Sequence, residues 1–245
     1  MIKDAINRIL ELAGPKEINI NGETYSDKSL YRISQCLPVE TLNLNSLRGI
    51  IDYIENNVNK DFADDECMLH IVTPTQVRLL STLNDDYRRD VFVDAVAPLT
   101  EFRYGKKYGS EEFVINMQAN FTDYEEDNDK AIILKFAGTV KNGSVTEYGD
   151  DGVSQKATVK VGVASLADAE VPSPCHLYPY RTFVEVPQPG SDFIFRLFDN
   201  GNAGVECSLF EADGGAWRLE AKENILKYLK EELKRIGYKM IPIVM

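Results

Sequence analysis

The sequence predicts an α+β fold: a mostly antiparallel sheet or sandwich with an N-terminal helical segment and a long C-terminal helix. Three observations support this class. Runs of alternating apolar and polar residues outnumber the helical patterns. No regular strand–helix–strand alternation persists, which disfavours a parallel sheet. The best helical pattern, residues 216–236, directly follows two alternating runs at Phe193–Phe198 and Val205–Phe210.

Length and charge narrow the classes of protein to consider. A chain of 245 residues can form one large or two small domains and bury a core without disulfides. Its 39 acidic and 27 basic side chains give a net charge of −12, which makes nucleic-acid binding unfavourable. The sequence shows no signal-peptide pattern and no apolar run near the ~18 residues of a membrane span. We therefore expect a cytoplasmic protein with reduced cysteines and no membrane contact.

The first sixty residues predict an N-terminal lobe of helices and a hairpin. Gly14-Pro15 ends the first helix, and Asn21-Gly22 is typical of a hairpin turn. Asn45 or Ser46 is suited to cap the second helix. The polar stretch 56–66 then divides the chain into lobes 1–60 and 61–245. The expected elements are a helix at 2–13, a hairpin at 17–25, a strand at 42–44 and a helix ending near 58.

Residues 61–245 predict a strand-rich domain that ends in the long helix. The segment from Ser110 fits a short helix, although Phe113, Ile115 and Met117 also alternate as in a strand. Three prolines make residues 171–179 a connector rather than a central strand. Gly237 suits the end of the last helix. Strands are expected at 68–72, 76–80, 89–97, 131–140, from 145, 157–163, 182–186, 193–198 and 205–210, and residues 240–244 form a strand or docked tail.

Arginines beside aromatic residues suggest a ligand site. The candidate residues are Tyr180, Arg181, Arg196 and Trp217. Aromatic rings stack on flat ligands, and guanidinium groups bind anions. The commoner structural role of such residues is a core edge with a charged rim. On a chain of charge −12, a small anionic ligand fits this pattern better than nucleic acid does.

Two pairs of acidic residues are candidate metal ligands. Asp150 and Asp151 lie between glycines, and Glu211 and Asp213 would share one strand face beside Lys156 or Arg181. Such carboxylates can hold Mg²⁺ in a hydrolase or nuclease. The simpler interpretation is structural. It makes the first pair a solvated turn, and it makes Asp213 a cap for the last helix.

Cysteine and histidine offer little for catalysis or zinc. Cys67 and His70, like Cys175 and His176, would point to opposite faces of a strand, and their spacing is not that of a zinc finger. No nucleophile motif, phosphate-binding loop or dinucleotide fingerprint occurs. The sequence therefore predicts no cofactor, and a binding protein is favoured over an enzyme.

Three tracts, Asp150–Gln155, Tyr180–Pro189 and Leu209–Trp217, carry a resemblance that runs from about Leu69 to the C-terminus. They resemble the YfdQ-like family, whose members are encoded by bacterial phages and prophages and have no assigned function. It implies a phage protein made in the cytoplasm of the bacterial host. It implies no catalytic residues.

The favoured hypothesis is a non-enzymatic phage accessory protein that self-assembles and acts by binding. Its partner would be a host defence protein, a signalling nucleotide or phage machinery. Open strand edges such as those at residues 18–20 and 241–244 would support a homo-oligomer. The alternatives are a metal-dependent hydrolase or nuclease that uses the acidic residues, and a structural component of the virion.

Overall fold

The computed structural model describes residues 2–20, 23–27, 39–56, 66–84, 87–123, 126–141, 144–150, 155–161, 164–165, 169–170, 173–199, 205–238 and 241–245. The chain divides into two compact units, residues 1–38 and 39–245. Helices occur together with mostly antiparallel sheets, and a 19-residue helix lies near the C-terminus. The predicted α+β class is therefore confirmed.

The first unit contains the predicted helix and hairpin. Its backbone closes where Asp27 N–H donates to the Lys16 carbonyl at 3.1 Å and Lys16 N–H donates to the Asp27 carboxylate at 2.7 Å. The Asn21-Gly22 turn lies outside the described residues. Ile2, Ile6 and Ile9, at helical spacing, are exposed. The elements are helix α1 (Ile2–Ala13) and the antiparallel strands β1 (Glu17–Ile20) and β2 (Glu23–Ser26).

A five-stranded sheet forms one side of the second unit. Its strands are β3 (Leu42–Leu44), β4 (Cys67–Thr73), β5 (Gln76–Ser81), β6 (Val91–Val96) and β15 (Ile243–Val244). The order is β15-β4-β5-β6-β3. The central pairings are antiparallel, whereas β15 and β3 join the two edges in parallel. Since successive side chains alternate between faces, Cys67, Leu69 and Ile71 all point into a core and are fully buried.

Two helices complete what we call the first core. They are α2 (Leu47–Glu55) and α5 (Trp217–Arg235), and both pack against the five-stranded sheet and against each other. Ile50 and Ile54 of α2 are buried, as are Ile225 and Leu229 of α5. Each such side chain contributes about 1.5–3 kcal/mol when it leaves water.

The division between the units differs from the predicted lobes. Strand β3 pairs with β6, and α2 belongs to the first core. The Ser46 hydroxyl caps α2 as predicted, because it accepts the Gly49 N–H at 3.1 Å. These contacts place residues 39–56 in the second unit, so the boundary falls at 38–39 and not near 60. Residues 57–65, which suggested the boundary, lie outside the described residues.

A four-stranded sheet and two helices enclose the second core, which is rich in phenylalanine. The elements are β7 (Tyr108–Gly109), α3 (Ser110–Asn120), α4 (Lys130–Lys141), β12 (Cys175–Leu177), β13 (Ser191–Asp199) and β14 (Val205–Glu211). The sheet has the order β12-β13-β14-β7 and all its pairings are antiparallel. Phe113 packs against Phe195 with ring centres 5.6 Å apart, and Phe121 meets Phe193 edge-on at 6.2 Å.

The expected strand at residues 131–140 is wrong, because this stretch forms helix α4. An almost continuous apolar run fits a buried strand and a buried helix equally well. The buried side chains Ile133, Phe136 and Ala137 follow the helical spacing and pack in the second core. Asn128 favours the helix, since its side-chain oxygen accepts the Lys130 N–H at 3.0 Å. The helical interpretation of the segment from Ser110 is confirmed.

The expected strand at residues 182–186 is also wrong. The backbone here is irregular, and the buried Gln188 side chain takes the place of a neighbouring strand. Its oxygen accepts the N–H groups of Arg181 and Thr182 at 2.8 and 3.2 Å. Its nitrogen donates to the carbonyls of Phe183 and Val186 at 3.0 and 3.3 Å. Four backbone groups thus find partners without a sheet.

Residues 144–170 contribute a separate small sheet. The predicted strands from Val145 and from Ala157 are confirmed as an antiparallel pair, while Asp151–Ser154 of their connection lie outside the described residues. The strands are β8 (Ser144–Asp150), β9 (Gln155–Val161), β10 (Ala164–Ser165) and β11 (Ala169–Glu170). The two short strands, β10 and β11, both pair with β9 in the antiparallel sense.

Glycine ends α5 as predicted. Gly237 has a φ of 87°, and the Tyr238 N–H donates to the Leu233 carbonyl at 3.0 Å. This geometry satisfies carbonyls that the helix leaves free. The chain then returns to the five-stranded sheet as β15, so the predicted docked tail forms a strand. Within the described residues, no helix combines the length and apolar character needed to cross a membrane.

Candidate functional site

A cleft of about 370 Å³ lies in the second unit, between elements of the first and second cores. Its size is at the lower end of the range for small-molecule pockets. Four aromatic residues line it, namely Phe102, Tyr104, Tyr180 and Trp217. Four charged residues also line it, namely Glu101, Arg181, Glu211 and Arg218.

The segment that carries Arg181 is fixed on both sides of the cleft. The Tyr180 N–H donates to the Asn120 carbonyl at the end of α3, at 2.8 Å. The Thr182 hydroxyl donates to the Pro74 carbonyl in the turn between β4 and β5, at 2.6 Å. Gln188 holds the backbone that follows. Arg181 is therefore anchored to both halves of the unit.

Arg181 is buried, with 6% of its surface exposed, and its guanidinium group organises the cleft. One terminal nitrogen donates to Glu211 at 3.1 Å. The other donates to the Pro189 carbonyl at 3.3 Å and to the Ser191 hydroxyl. Burial lowers the pKa of the guanidinium, against the opposing effects of Tyr104 and the nearby carboxylates. An arginine remains charged under these conditions, so the paired carboxylate is needed to balance it.

Trp217 is stacked beneath arginine side chains. The Arg181 guanidinium carbon lies 4.3 Å from the centre of the indole ring, and that of Arg218 lies 5.0 Å away. The preceding glycines, Gly214 and Gly215, have φ values of 64° and 85°. A side chain at Gly215 would also collide with the Arg218 guanidinium, so glycine permits this arrangement.

Asp213 shapes the turn that leads into α5. Its carboxylate accepts the Ser191 hydroxyl at 2.6 Å and the Gly215 N–H at 2.9 Å. Burial alone would raise the pKa of Asp213. These donors, the backbone N–H of Trp217 and the Arg181 charge together hold that pKa below the ordinary value of 3.8. The N-cap of α5 is Ala216, which has no side-chain cap, so Asp213 stabilises the turn before the helix and does not cap the helix as the sequence predicts.

The depressed pKa of Asp213 gives a pH-dependent contribution to stability. A carboxyl group with a lower pKa in the folded state stabilises the fold above its unfolded pKa, and this stabilisation is lost as the pH falls through the folded pKa. We expect Asp213→Asn to lower the free energy of unfolding by about 1 kcal/mol at neutral pH, because the Ser191 and Gly215 donors lose a charged acceptor.

Urea unfolding of both proteins from neutral pH to about pH 2 measures this difference. The gap between wild type and Asp213→Asn should close as the pH falls below the ordinary range of aspartate. A gap that stays constant with pH would contradict the assignment.

Two buried N–H groups in the cleft wall have no hydrogen-bond partner among the described residues. They are the Nε–H of Arg181 and the indole Nε1–H of Trp217. Buried donors are almost always paired with protein, water or ligand. An unpaired buried donor costs about 1–3 kcal/mol. Both nitrogens expose less than 1 Å² of surface, so they lie behind the cleft surface and add a cost to the fold.

The structure brings three of the four predicted ligand-binding residues together. Tyr180, Arg181 and Trp217 line the cleft, and Glu211 from the predicted metal set joins them. Arg196 does not line it, because it lies in β13 opposite Ser208. An arginine in the middle of a strand and one in a loop give the same sequence signal, so the sequence could not separate Arg196 from Arg181.

The geometry gives little support to the predicted metal site. Glu211 binds Arg181, and both oxygens of Asp213 accept hydrogen bonds from the protein. In the part of the chain that the structure describes, no group of three or more histidine, cysteine or acidic residues could hold a metal ion. Asp150 ends β8, and Asp151 lies outside the described residues.

Tyr104 and Glu101 are cleft residues that sequence reasoning missed. Both lie in the connection 97–107, where no regular element was expected. Tyr104 stacks on Phe193 with ring centres 5.4 Å apart, and burial raises the pKa of its hydroxyl above the ordinary value of 10. The available signal was the cluster of aromatic residues Phe102, Tyr104 and Tyr108 in an otherwise polar loop.

The side chains of the adjacent residues Cys175 and His176 point to opposite faces of their strand, as predicted. Cys175 is fully buried, and burial raises the pKa of its thiol to about 12. The neighbouring His176 instead faces acidic side chains, with its Nδ1 2.7 Å from the Asp192 carboxylate and its Nε2 4.0 Å from Asp127. The Tyr178 hydroxyl donates to Asp127 at 2.6 Å and lowers the pKa of that carboxyl group.

We compared the chain with protein-family models, with curated proteins and with solved structures. None of the three comparisons gives a match. The resemblance to the YfdQ-like family therefore stays a prediction from the three sequence tracts.

Proposed function

We propose that this chain is a non-enzymatic accessory protein that acts by binding, and that its cleft holds a small molecule. One observation carries the proposal. A cleft of about 370 Å³ is lined by four aromatic side chains together with two arginines and two glutamates. An aromatic lining with a few polar groups is the usual composition of a small-molecule site.

The side chains of the cleft favour binding over catalysis. The terminal nitrogens of Arg181 already hold Glu211, Pro189 and Ser191. Among the described residues that line the cleft there is no cysteine or histidine to act as nucleophile or base. The buried thiols Cys175 and Cys207 have pKa values raised to about 12, which makes them poor nucleophiles.

The proposed setting is a phage or prophage protein in the cytoplasm of its bacterial host. Two of the tracts that resemble the YfdQ-like family, Tyr180–Pro189 and Leu209–Trp217, supply Arg181, Glu211 and Trp217 to the cleft. A binding site built from the family-like tracts is consistent with a role shared by such proteins. The proposed partners are a host defence protein, a signalling nucleotide or phage machinery.

Self-assembly into a homo-oligomer is part of the proposal. Exposed isoleucines on α1, with Ile2 81% and Ile9 64% accessible, form an apolar stripe at helical spacing. Within the described residues, β1 and β2 form a two-stranded sheet whose outer edges have no neighbouring strand. Both features are suited to subunit contacts.

Native mass spectrometry of the freshly purified full chain tests both parts. We expect a mass of more than one subunit that carries a small additional mass, which organic extraction releases. Trp217→Leu removes an aromatic ring from the cleft lining, so the additional mass should decrease. Leu83→Ala, at an exposed position outside the cleft lining, is the matched control.

The proposal fails in separable ways. A single subunit would contradict self-assembly. A bare chain, from which organic extraction releases no small molecule, would contradict the binding function.

A further inference from the structure

The cleft contains one arginine whose charge the fold does not use. Arg218 lines the cleft and is exposed, in contrast to the buried Arg181. Among the described residues, no carboxylate pairs with the Arg218 guanidinium and no acceptor receives a hydrogen bond from it. Its N–H groups are therefore open to a ligand that enters the cleft from solvent.

Two contacts fix the position of the Arg218 guanidinium. Its central carbon lies 5.0 Å from the centre of the Trp217 ring. Its Nη1 lies over Gly215, where any side chain would collide with it. The attraction to the ring uses the charge of the guanidinium and leaves its N–H groups without a hydrogen-bond partner. Arg218 is thus positioned before a ligand binds, which lowers the entropic cost of binding.

The other charged residues of the cleft lining already have counter-charges. Glu211 accepts a hydrogen bond from Arg181 at 3.1 Å, and the Glu101 carboxylate lies 3.8 Å from Arg103. Guanidinium groups hold anions best with two parallel N–H groups. Both terminal nitrogens of Arg181 are engaged within the protein, so they are not available for this purpose. Arg218 can bind an anion in this way.

The charges around the cleft favour a ligand with one negative charge. The carboxylates of Glu211 and Asp213 both act on Arg181, so among the described lining residues Arg218 alone offers an unmatched positive charge. A phosphate monoester would bring a second negative charge into the cleft that Glu211 lines, where it is repelled. A carboxylate carries one charge, and its two oxygens match the fork of a guanidinium group.

We propose that the cleft binds a flat aromatic carboxylate and that Arg218 holds the carboxylate group. The ring of the ligand lies among the four aromatic side chains of the lining, which are Phe102, Tyr104, Tyr180 and Trp217. This inference rests on the proposed binding function. It assigns the small anionic ligand that the sequence suggests to a residue that the four predicted candidates do not include.

Probes that share one ring system and differ in charge test the assignment on the full chain. They are 2-naphthoate, its neutral analogue 2-naphthamide and the dianion 2-naphthyl phosphate, each titrated by isothermal calorimetry. The test variant is Arg218→Gln, which removes the charge of an exposed side chain. The matched control is Lys227→Gln, which removes one positive charge from an exposed position of the same helix outside the cleft lining.

We expect 2-naphthoate to bind wild type about tenfold more tightly than 2-naphthamide or better, because only the carboxylate forms charged hydrogen bonds with Arg218. Arg218→Gln should remove this preference, whereas Lys227→Gln should keep it. Arg218→Lys should keep part of it, since lysine retains the charge but not the fork. The phosphate probe should not bind more tightly than 2-naphthoate.

Four results would overturn the inference: no binding of 2-naphthoate, equal affinities of 2-naphthoate and 2-naphthamide, tighter binding of 2-naphthyl phosphate, or an unchanged preference in Arg218→Gln. The proposed function is judged separately, by the molecule that organic extraction releases from the purified chain. A released molecule without a carboxylate overturns the inference and keeps the binding function. If no probe binds and extraction releases nothing, both the inference and the proposed function fail.

Discussion

Replacing Arg181 with methionine is expected to lower the free energy of unfolding by about 3–5 kcal/mol. The reason is the partners left behind rather than the charge itself. Glu211 would lose its cation, and Ser191 and the Pro189 carbonyl would lose a donor in a buried region. Trp217 would lose the guanidinium that covers its ring. Urea unfolding followed by circular dichroism measures the change.

A second ion pair gives the control. Arg78 lies 3.0 Å from Asp94, but 38% of its side chain is exposed. Arg78→Met should therefore cost less than about 1 kcal/mol, since water screens exposed pairs. If both substitutions cost the same, the buried network around Arg181 does not stabilise the fold as described. Arg181→Met with Glu211→Gln should recover part of the loss, because no carboxylate is then left without its cation.

Phe193→Ala is expected to lower the free energy of unfolding by about 3–5 kcal/mol. Phe193 is fully buried at the junction of the second core and the cleft. Its ring stacks on Tyr104, meets Phe121 edge-on at 6.2 Å and lies 5.7 Å from the Arg181 guanidinium. Removing it opens a cavity that this well-packed group of rings cannot fill. Equilibrium unfolding in guanidinium chloride measures the loss.

Phe210→Ala is the matched control, because it removes the same atoms from β14 at a position that is 38% exposed. We expect a loss of about 1 kcal/mol there, in proportion to the smaller area that leaves water. Near-equal effects of the two substitutions would show that the second core tolerates a cavity at Phe193.

Local patterns were enough to predict most of the fold. The hairpin of β13 and β14 and the helix that follows were recognisable because Phe193, Phe195 and Leu197 alternate and a glycine turn precedes Trp217. Helix α4 was not recognisable as a helix from the sequence, because its apolar run has no clear period. The irregular stretch after Arg181 depends on the side chain of Gln188, and no local pattern reveals that such a side chain will replace a strand.

The candidate site was predictable only where its parts are close in sequence or share an obvious chemistry. Arg181 and Tyr180 are neighbours, and Trp217 is the single tryptophan next to an arginine. Tyr104 and Glu101 reach the cleft from about eighty residues away, and Tyr104 does so by packing on Phe193, so their contribution depends on tertiary structure. The pairing of Arg181 with Glu211, which occupies a terminal nitrogen that the sequence assigned to an anionic ligand, depends on tertiary structure.

The nesting of one core within the other has a consequence for biosynthesis. The second core is built from residues 102–209, whereas the first combines residues 47–97 with residues 183–241. During translation, the second core can therefore form while the first still lacks α5 and Ile241. Helix α2 can already cover β6, but β4 remains without α5 until then. Exposed apolar strands of this kind are the species that chaperones bind. We expect translation speed and chaperone supply to affect the yield of this protein through its first core.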